Sequence, residues 1–222
     1  MKKVALCARP IRTGGRFASY LLLAGLVSAC AGLVDKPVTR TLYDFGPVTV
    51  PAAAPARTGA QPAIVLADLD ASGTLDGSAV LYRLGYADAH QLRPYAQARW
   101  GAPPPQLVRQ RLREQLGQGR VVLNPGESAA LAREGGVLPR VLRIELEEFS
   151  HYFESPAQSM GLVRLRATLL ENTPAGEKLL AQRSFAVQRP APTADAPGGV
   201  RALTAATDAA AEEIGQWLQQ SR

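Results

Sequence analysis

The stretch VLPRVLRIELEEFSHYF, residues 137–153, decides how this chain folds. Leu142, Ile144 and Leu146 recur at every second position, the period of a strand with one buried face. Past Glu147 and Glu148 the parity changes, and Phe149, His151 and Phe153 carry the apolar series onward. A regular strand cannot keep one face apolar through such a change. A β-bulge can, because it inserts one extra residue and restores the face on the far side. The stretch therefore reads as one long strand, bulged at Glu147-Glu148.

The next segments supply its partners. MGLVRLRATLLEN (160–172) sets Val163, Leu165, Ala167 and Leu169 against Arg164, Arg166 and Thr168. After the turn NTPAGE, KLLAQRSFAVQ (178–188) places Ala181, Phe185 and Val187 on one face. Three strands joined in this order form an antiparallel meander. Glu145 and Glu147 share the polar face of the first strand, roughly 7 Å apart by strand geometry. Such a pair suits acid/base work on a glycan, but Arg164 and Arg166 can pair with it across the ladder. A solvated, ion-paired outer face is the stronger reading, and a glycan hydrolase using Glu145 and Glu147 is the alternative.

Upstream, TLYDFG (41–46) reads as a first strand with Leu42 and Phe45 as its apolar side chains. Residues 47–62 are rich in Pro and Ala, which favours an exposed, extended connection. AIVLADLD (63–70) is a buried strand by composition, and SAVLYRLGY (78–86) alternates Val80, Tyr82, Leu84 and Tyr86 with its polar face. The turn-rich DASGTLDG between them predicts a hairpin of the two. A short strand is expected around His90 to Tyr95. APPPQLVRQRLREQLGQG opens on prolines and closes on glycines, as helices do, with Val108, Leu112 and Leu116 as its stripe. RVVLN (120–124) is a short strand, and PGESAALAREGG is a turn or one helical piece. The C-terminal GGVRALTAATDAAAEEIGQWLQQSR aligns Leu203, Ala206, Ala210, Ile214 and Trp217 on one helical face. The fold class is α/β, an α+β sandwich: a mixed, largely antiparallel sheet with two main helices packed on it.

The N-terminus carries an address. Phe17 to Ala29 is an apolar run too short for a bilayer span, which needs about 20 residues. It follows Lys2, Lys3, Arg9, Arg12 and Arg16, and ends in small residues, the three-part pattern of a secretory signal. Val27-Ser28-Ala29-Cys30 resembles the bacterial lipobox, whose cysteine becomes a lipidated N-terminus. Cleavage would remove residues 1–29, leave 30–40 as a tether, and leave 41–222 as one domain. It would also remove five of the 25 basic residues and none of the 19 acidic ones. The remaining 20 against 19 is nearly neutral, so the basic footprint of a nucleic-acid binder is missing. With Cys7 removed and Cys30 lipidated, no thiol is left for a disulfide. Anchored by its acyl chains, the chain is held to the membrane without spanning it.

Catalytic patterns are missing from the sequence. It has no H-E-x-x-H, G-x-S-x-G or P-loop motif, and neither His90 nor His151 stands in a catalytic setting. GQGR (117–120) ends a helix, where the dipole repels a phosphate. No cofactor and no metal are expected. The segment from Tyr82 to Trp100 is different in kind. It gathers Tyr82, Tyr86, Arg93, Tyr95, Arg99 and Trp100 around Pro94 without clean periodicity. Aromatic and arginine side chains dominate protein interfaces, so these six are candidate partner contacts, with core packing the competing account.

LDGSAVLYRLGYADAHQLRPYAQARWGAPPPQLVRQRL, LRIELEEFSHYFESP, GLVRLRATLL and the C-terminal helix, in that order behind a lipobox, resemble the ABC-type transport auxiliary lipoprotein family (the PqiC-like lipoproteins). The resemblance implies an α/β sandwich similar to the N-terminal domain of the periplasmic TolB protein. It implies a non-catalytic accessory of systems that pair an ABC transporter with an MCE-domain protein, and that move lipid or other apolar cargo between the two Gram-negative membranes. The implied partner is that MCE-domain protein; a second copy of the chain is the alternative occupant of the Tyr82–Trp100 surface. In lipoproteins of this kind an Asp after the cysteine favours the inner membrane. Ala31 therefore favours the outer membrane, facing the periplasm. A structural envelope lipoprotein unconnected with transport is the remaining alternative.

Overall fold

The structure, a computed structural model, describes residues 39–47, 61–128 and 138–221. The signal, Cys30, the tether up to residue 38, most of the Pro/Ala-rich stretch and residues 129–137 lie outside these. The order of elements is β1 (Thr41–Tyr43), β2 (Gln61–Leu66), β3 (Asp70–Ala71), β4 (Ala79–Leu84), β5 (Ala89–Trp100), α1 (Pro104–Gly117), β6 (Arg120–Leu123), β7 (Arg140–Phe153), β8 (Ser159–Thr173), β9 (Gly176–Pro190) and α2 (Ala196–Gln220).

β7 is the spine. One edge pairs antiparallel with β8 from Val141↔Leu170 to Phe153↔Ser159, and the register slips between Leu146 and Glu148. Glu147 is the extra residue of a bulge, as the parity change predicts. Leu142, Ile144, Leu146 and Phe149 are consequently all at most 2% exposed on one face. The other edge of β7 takes three strands in succession, all parallel: β2 beside Arg140–Leu142, β3 beside Glu145–Leu146, and β4 beside His151–Phe153. β6 extends the sheet beyond β2, while β5 and then β1 extend it beyond β4. β9 closes the meander on β8. Nine strands thus form one mixed sheet. Its longest ladders are antiparallel, and five of its eight pairings are parallel.

Four expectations need correction. The runs at 63–70 and 78–86 do not pair as a hairpin; β2 and β4 lie parallel to opposite ends of β7. Ile64, Val65 and Leu66 are all buried, so β2 needs a strand on each side, and finds β6 and β7 there. The turn-rich link instead carries β3 and a single 3-10 turn, Gly73–Leu75, along the spine. The true hairpin is β4–β5, joined by one helical turn, Gly85–Asp88. The first strand ends at Tyr43, leaving Leu42 70% exposed, while Phe45 packs into the core beyond the strand. The strand expected near His90–Tyr95 is longer than its local pattern, and Gln61 and Pro62 belong to β2 rather than to the Pro/Ala-rich connection.

Both main helices pack on the same face. Val108, Leu112 and Leu116 of α1 and Leu203, Ala206, Ala210, Ile214 and Trp217 of α2 share one core with the inward residues of β7 and β8. Two glycines set the depth of α2. A Cβ on Gly161 would lie 2.4 Å from the Ala202 carbonyl carbon, and one on Gly199 would lie 2.4 Å from Nδ1 of His151. The opposite face stays open and charged, with Arg166 bridging Glu145 and Glu147 and Arg164 also reaching Glu147.

The bulge gives a direct test. Deleting Glu147 should force Phe149 and Phe153 onto the open face, a loss of about 3–6 kcal/mol for two large apolar side chains. Glu147→Ala should keep the bulge and cost about 1 kcal/mol or less, since it removes only half-exposed ion pairs. Urea unfolding followed by circular dichroism distinguishes the two.

Candidate functional site: the Tyr82–Trp100 hairpin

The β4–β5 hairpin carries all six sequence-predicted interface residues, and the structure separates them into three groups. Pro94 is the cause of the separation. Lacking an N–H, it cannot sustain a regular ladder. The register runs Leu81↔Pro94 but Ala79↔Arg99, so the segment Tyr95–Ala98 bows away from β4. Arg99 ties the bow from within, its Nη1 donating to the Tyr95 carbonyl at 2.6 Å and the Ala98 carbonyl at 2.7 Å.

Trp100, at the end of the bow, is 1% exposed. Its ring meets Phe45 edge-on and Phe149 tilted, both at 5.6 Å between centroids. Its side chain is core, so it is not a partner contact in this structure. Tyr82 and Tyr95 form the second group. Their rings lie 4.6 Å apart, and the Tyr95 hydroxyl stands 2.8 Å from Nδ1 of His151 on β7. His151 is fully buried against Phe153, with Gly199 of α2 directly over the ring. Tyr86 and Arg93 make up the third group. Tyr86 is 49% exposed, and Arg93, half-buried, donates from Nε to Gln91 Oε1 at 2.8 Å within its own strand. These two remain presentable to a partner.

Electrostatics explain why the Tyr95–His151 contact is structural. Burial lowers His151 from its ordinary 6.5 to about 4, and the Asp195 carboxylate offsets part of that. Burial, then the Tyr82 and Asp195 charges, push the Tyr95 phenol well above its ordinary value. Tyr95 stays protonated and shares one hydrogen bond with Nδ1 of a neutral imidazole, whose Nε2 has no partner among the described residues. Asp195 caps α2, accepting from the Gly198 N–H at 2.8 Å and the Thr193 hydroxyl at 2.6 Å. The Thr193 hydroxyl first, then the Gly198 N–H, hold its carboxyl below the usual range. Sequence reasoning set His151 aside as a catalyst and did not foresee its link to Tyr95. Asp195-x-Pro197-Gly198 was the legible sign of the cap.

The carboxylates of the alternative enzymatic reading are committed elsewhere. Glu145 and Glu147 both pair with Arg166, on the open face of the sheet. Glu148 pairs instead with Arg83, whose Nε and Nη2 donate to its two oxygens at 3.1 and 3.0 Å. Arg83 also donates to the Ala89 carbonyl, which fastens the hairpin to the spine. Among the described residues no group of three or more His, Cys, Asp or Glu is placed to hold a metal, and no helix is long and apolar enough to cross a membrane. An open cleft of about 680 Å³ lies between β1 and α2, lined by Leu42, Tyr43 and Phe45 against Val200, Arg201 and Asp208.

Residues 43–215 match the ABC-type transport auxiliary lipoprotein component family, which spans every element from the end of β1 into α2. The chain belongs to that family. It is thus an auxiliary lipoprotein component of an ABC-type transport system, a role that implies transporter partners and a lipid-anchored place in the envelope. The fold is similar to that of a Xanthomonas campestris protein of the DUF330 family, at 18% identity and a TM-score of 0.63, covering 82% of this chain and 96% of that one. A second crystal structure, of an uncharacterized protein, is similar at 14% identity and a TM-score of 0.57, covering 81% and 99%. No curated protein matches the chain.

Protonating His151 should weaken the fold. Its folded value lies below its unfolded one, so full stability is present above pH 6.5 and is lost as pH falls from 6.5 through about 4. The loss should reach at most about 3 kcal/mol at one pKa unit per 1.36 kcal/mol. Urea midpoints measured from pH 7.5 to 4.5 should fall more steeply for the wild type than for His151→Gln. Parallel curves would remove His151 as the cause.

Proposed function

We propose that this chain is anchored by lipid on Cys30 to the periplasmic side of the outer membrane. There it serves as a non-catalytic subunit of a transporter that couples an ABC ATPase and permease to an MCE-domain protein. Its cargo is lipid or another apolar molecule moving between the two membranes. The observation that carries the reading is one family match covering the domain, directly behind a lipobox whose next residue is Ala31. An α/β module resembling, on this reading, the N-terminal domain of TolB suits this task, since it offers docking surface at the margins of its sheet. The docking contact assigned to the MCE-domain protein, or to a second copy, is the exposed part of the β4–β5 hairpin around Tyr86 and Arg93.

Replacement of Cys30 by Ala should leave an unlipidated precursor or a mislocalised protein. Mature-sized chain still sedimenting with outer membrane would refute lipidation there. For docking, a photo-crosslinking residue at Tyr86 or Arg93 in intact cells should capture the MCE-domain protein or the chain itself. Tyr86→Ala and Arg93→Ala should weaken that assembly by about 1–3 kcal/mol, the range for interface aromatics and arginines, with the melting temperature unchanged. Trp100→Ala should do the reverse, costing about 3–5 kcal/mol of stability as a core truncation. Assembly unaffected by both surface variants would move the contact away from this hairpin.

A further inference from the structure

β9 is an edge. Among the described residues it pairs with β8 alone, over Gly176–Pro190, whereas the sheet's other outer strands, β1 and β6, are three and four residues long. A bare edge of this length is a template for another strand unless something blunts it. Blunting is slight here: the ladder slips once beside Leu180, and the only proline is Pro190, at the very end. Leu179 stands 59% exposed on the edge.

Charge selects what the edge accepts. Glu177 is spent on Arg143, and Lys178 reaches Glu171 at 3.9 Å. Arg183 and Arg189 have no carboxylate within ion-pair distance among the described residues; Arg183 rests over the Phe185 ring at 5.1 Å, and Arg189 bonds the Gln188 carbonyl. Both point to the side of the strand that carries buried Phe185 and Val187, six residues and about 20 Å apart along it. A second copy would bring its own unpaired arginines to the same line, and like charges facing across a ladder are destabilising. A strand with carboxylates six residues apart would satisfy both.

We propose that β9 is a strand-addition site for an extended, acidic segment of a partner protein, bound as a tenth strand through its backbone and selected by Arg183 and Arg189. The surface is separate from the Tyr86–Arg93 hairpin, which lies beyond β4 on the other side of the spine.

The test uses the mature lipidated chain in detergent and synthetic Thr/Val peptides as long as β9. One peptide carries two Glu six residues apart, a second carries Lys at the same places, and a third is the Glu peptide N-methylated at alternate residues. The Glu peptide should bind by fluorescence anisotropy and slow amide hydrogen exchange in β9, and the Lys peptide should bind about tenfold more weakly. Arg183→Glu combined with Arg189→Glu, both exposed positions, should reverse that preference, and N-methylation should abolish binding. Equal binding of the Glu and Lys peptides would overturn the charge selection. Binding that survives N-methylation would overturn strand addition. β9 amides already protected in the chain alone, with a mass that rises with concentration, would assign the edge to a second copy instead.

Discussion

One inserted residue, Glu147, holds this architecture together. A strand of 14 residues must twist along its length, and an unbroken one would turn half of its apolar series to the open face. The bulge keeps Leu142, Ile144 and Leu146 on the same side as Phe149, His151 and Phe153. It also divides the spine into two halves with different partners. β2 and β6 assemble on the first half, and β4, β5 and β1 on the second. The sheet is wide at both ends because its central strand is long enough to serve two groups of neighbours.

The helix layer depends on this arrangement in turn. α2 can lie flat on β7 and β8 only where no side chain intervenes, and Gly161 and Gly199 provide those places. At Gly199 the helix closes over His151, which leaves the imidazole neutral and fastened to Tyr95. A single buried contact therefore joins the spine, the bowed hairpin and the start of α2. Burial makes the charged imidazole costly, so above about pH 4 His151 stays neutral in the fold and acts as a packing and hydrogen-bonding group.

The division of labour across the sheet fits an accessory subunit. One face is spent on the two helices. The other is spent on ion pairs among Glu145, Glu147, Arg164 and Arg166, which keep it solvated and give little net stability. On the two proposals above, partners are met at the margin: the β4–β5 hairpin on one side and the edge of β9 on the other.

The sequence by itself determined the meander, its bulge, both helices and the ion-paired face, because each depends on periodicity within one segment or between adjacent ones. It also carried the lipobox and the order of segments that mark the family. Tertiary structure alone decided the placement of β2 and β4, since parallel pairing with a strand some 70 residues later leaves no local trace. It likewise decided the fates of the six residues from Tyr82 to Trp100. Their composition suits a core and an interface equally well. Only the slip at Pro94, the aromatic pocket of Phe45 and Phe149, and the position of His151 send Trp100 inward, leaving Tyr86 exposed and Arg93 half-buried.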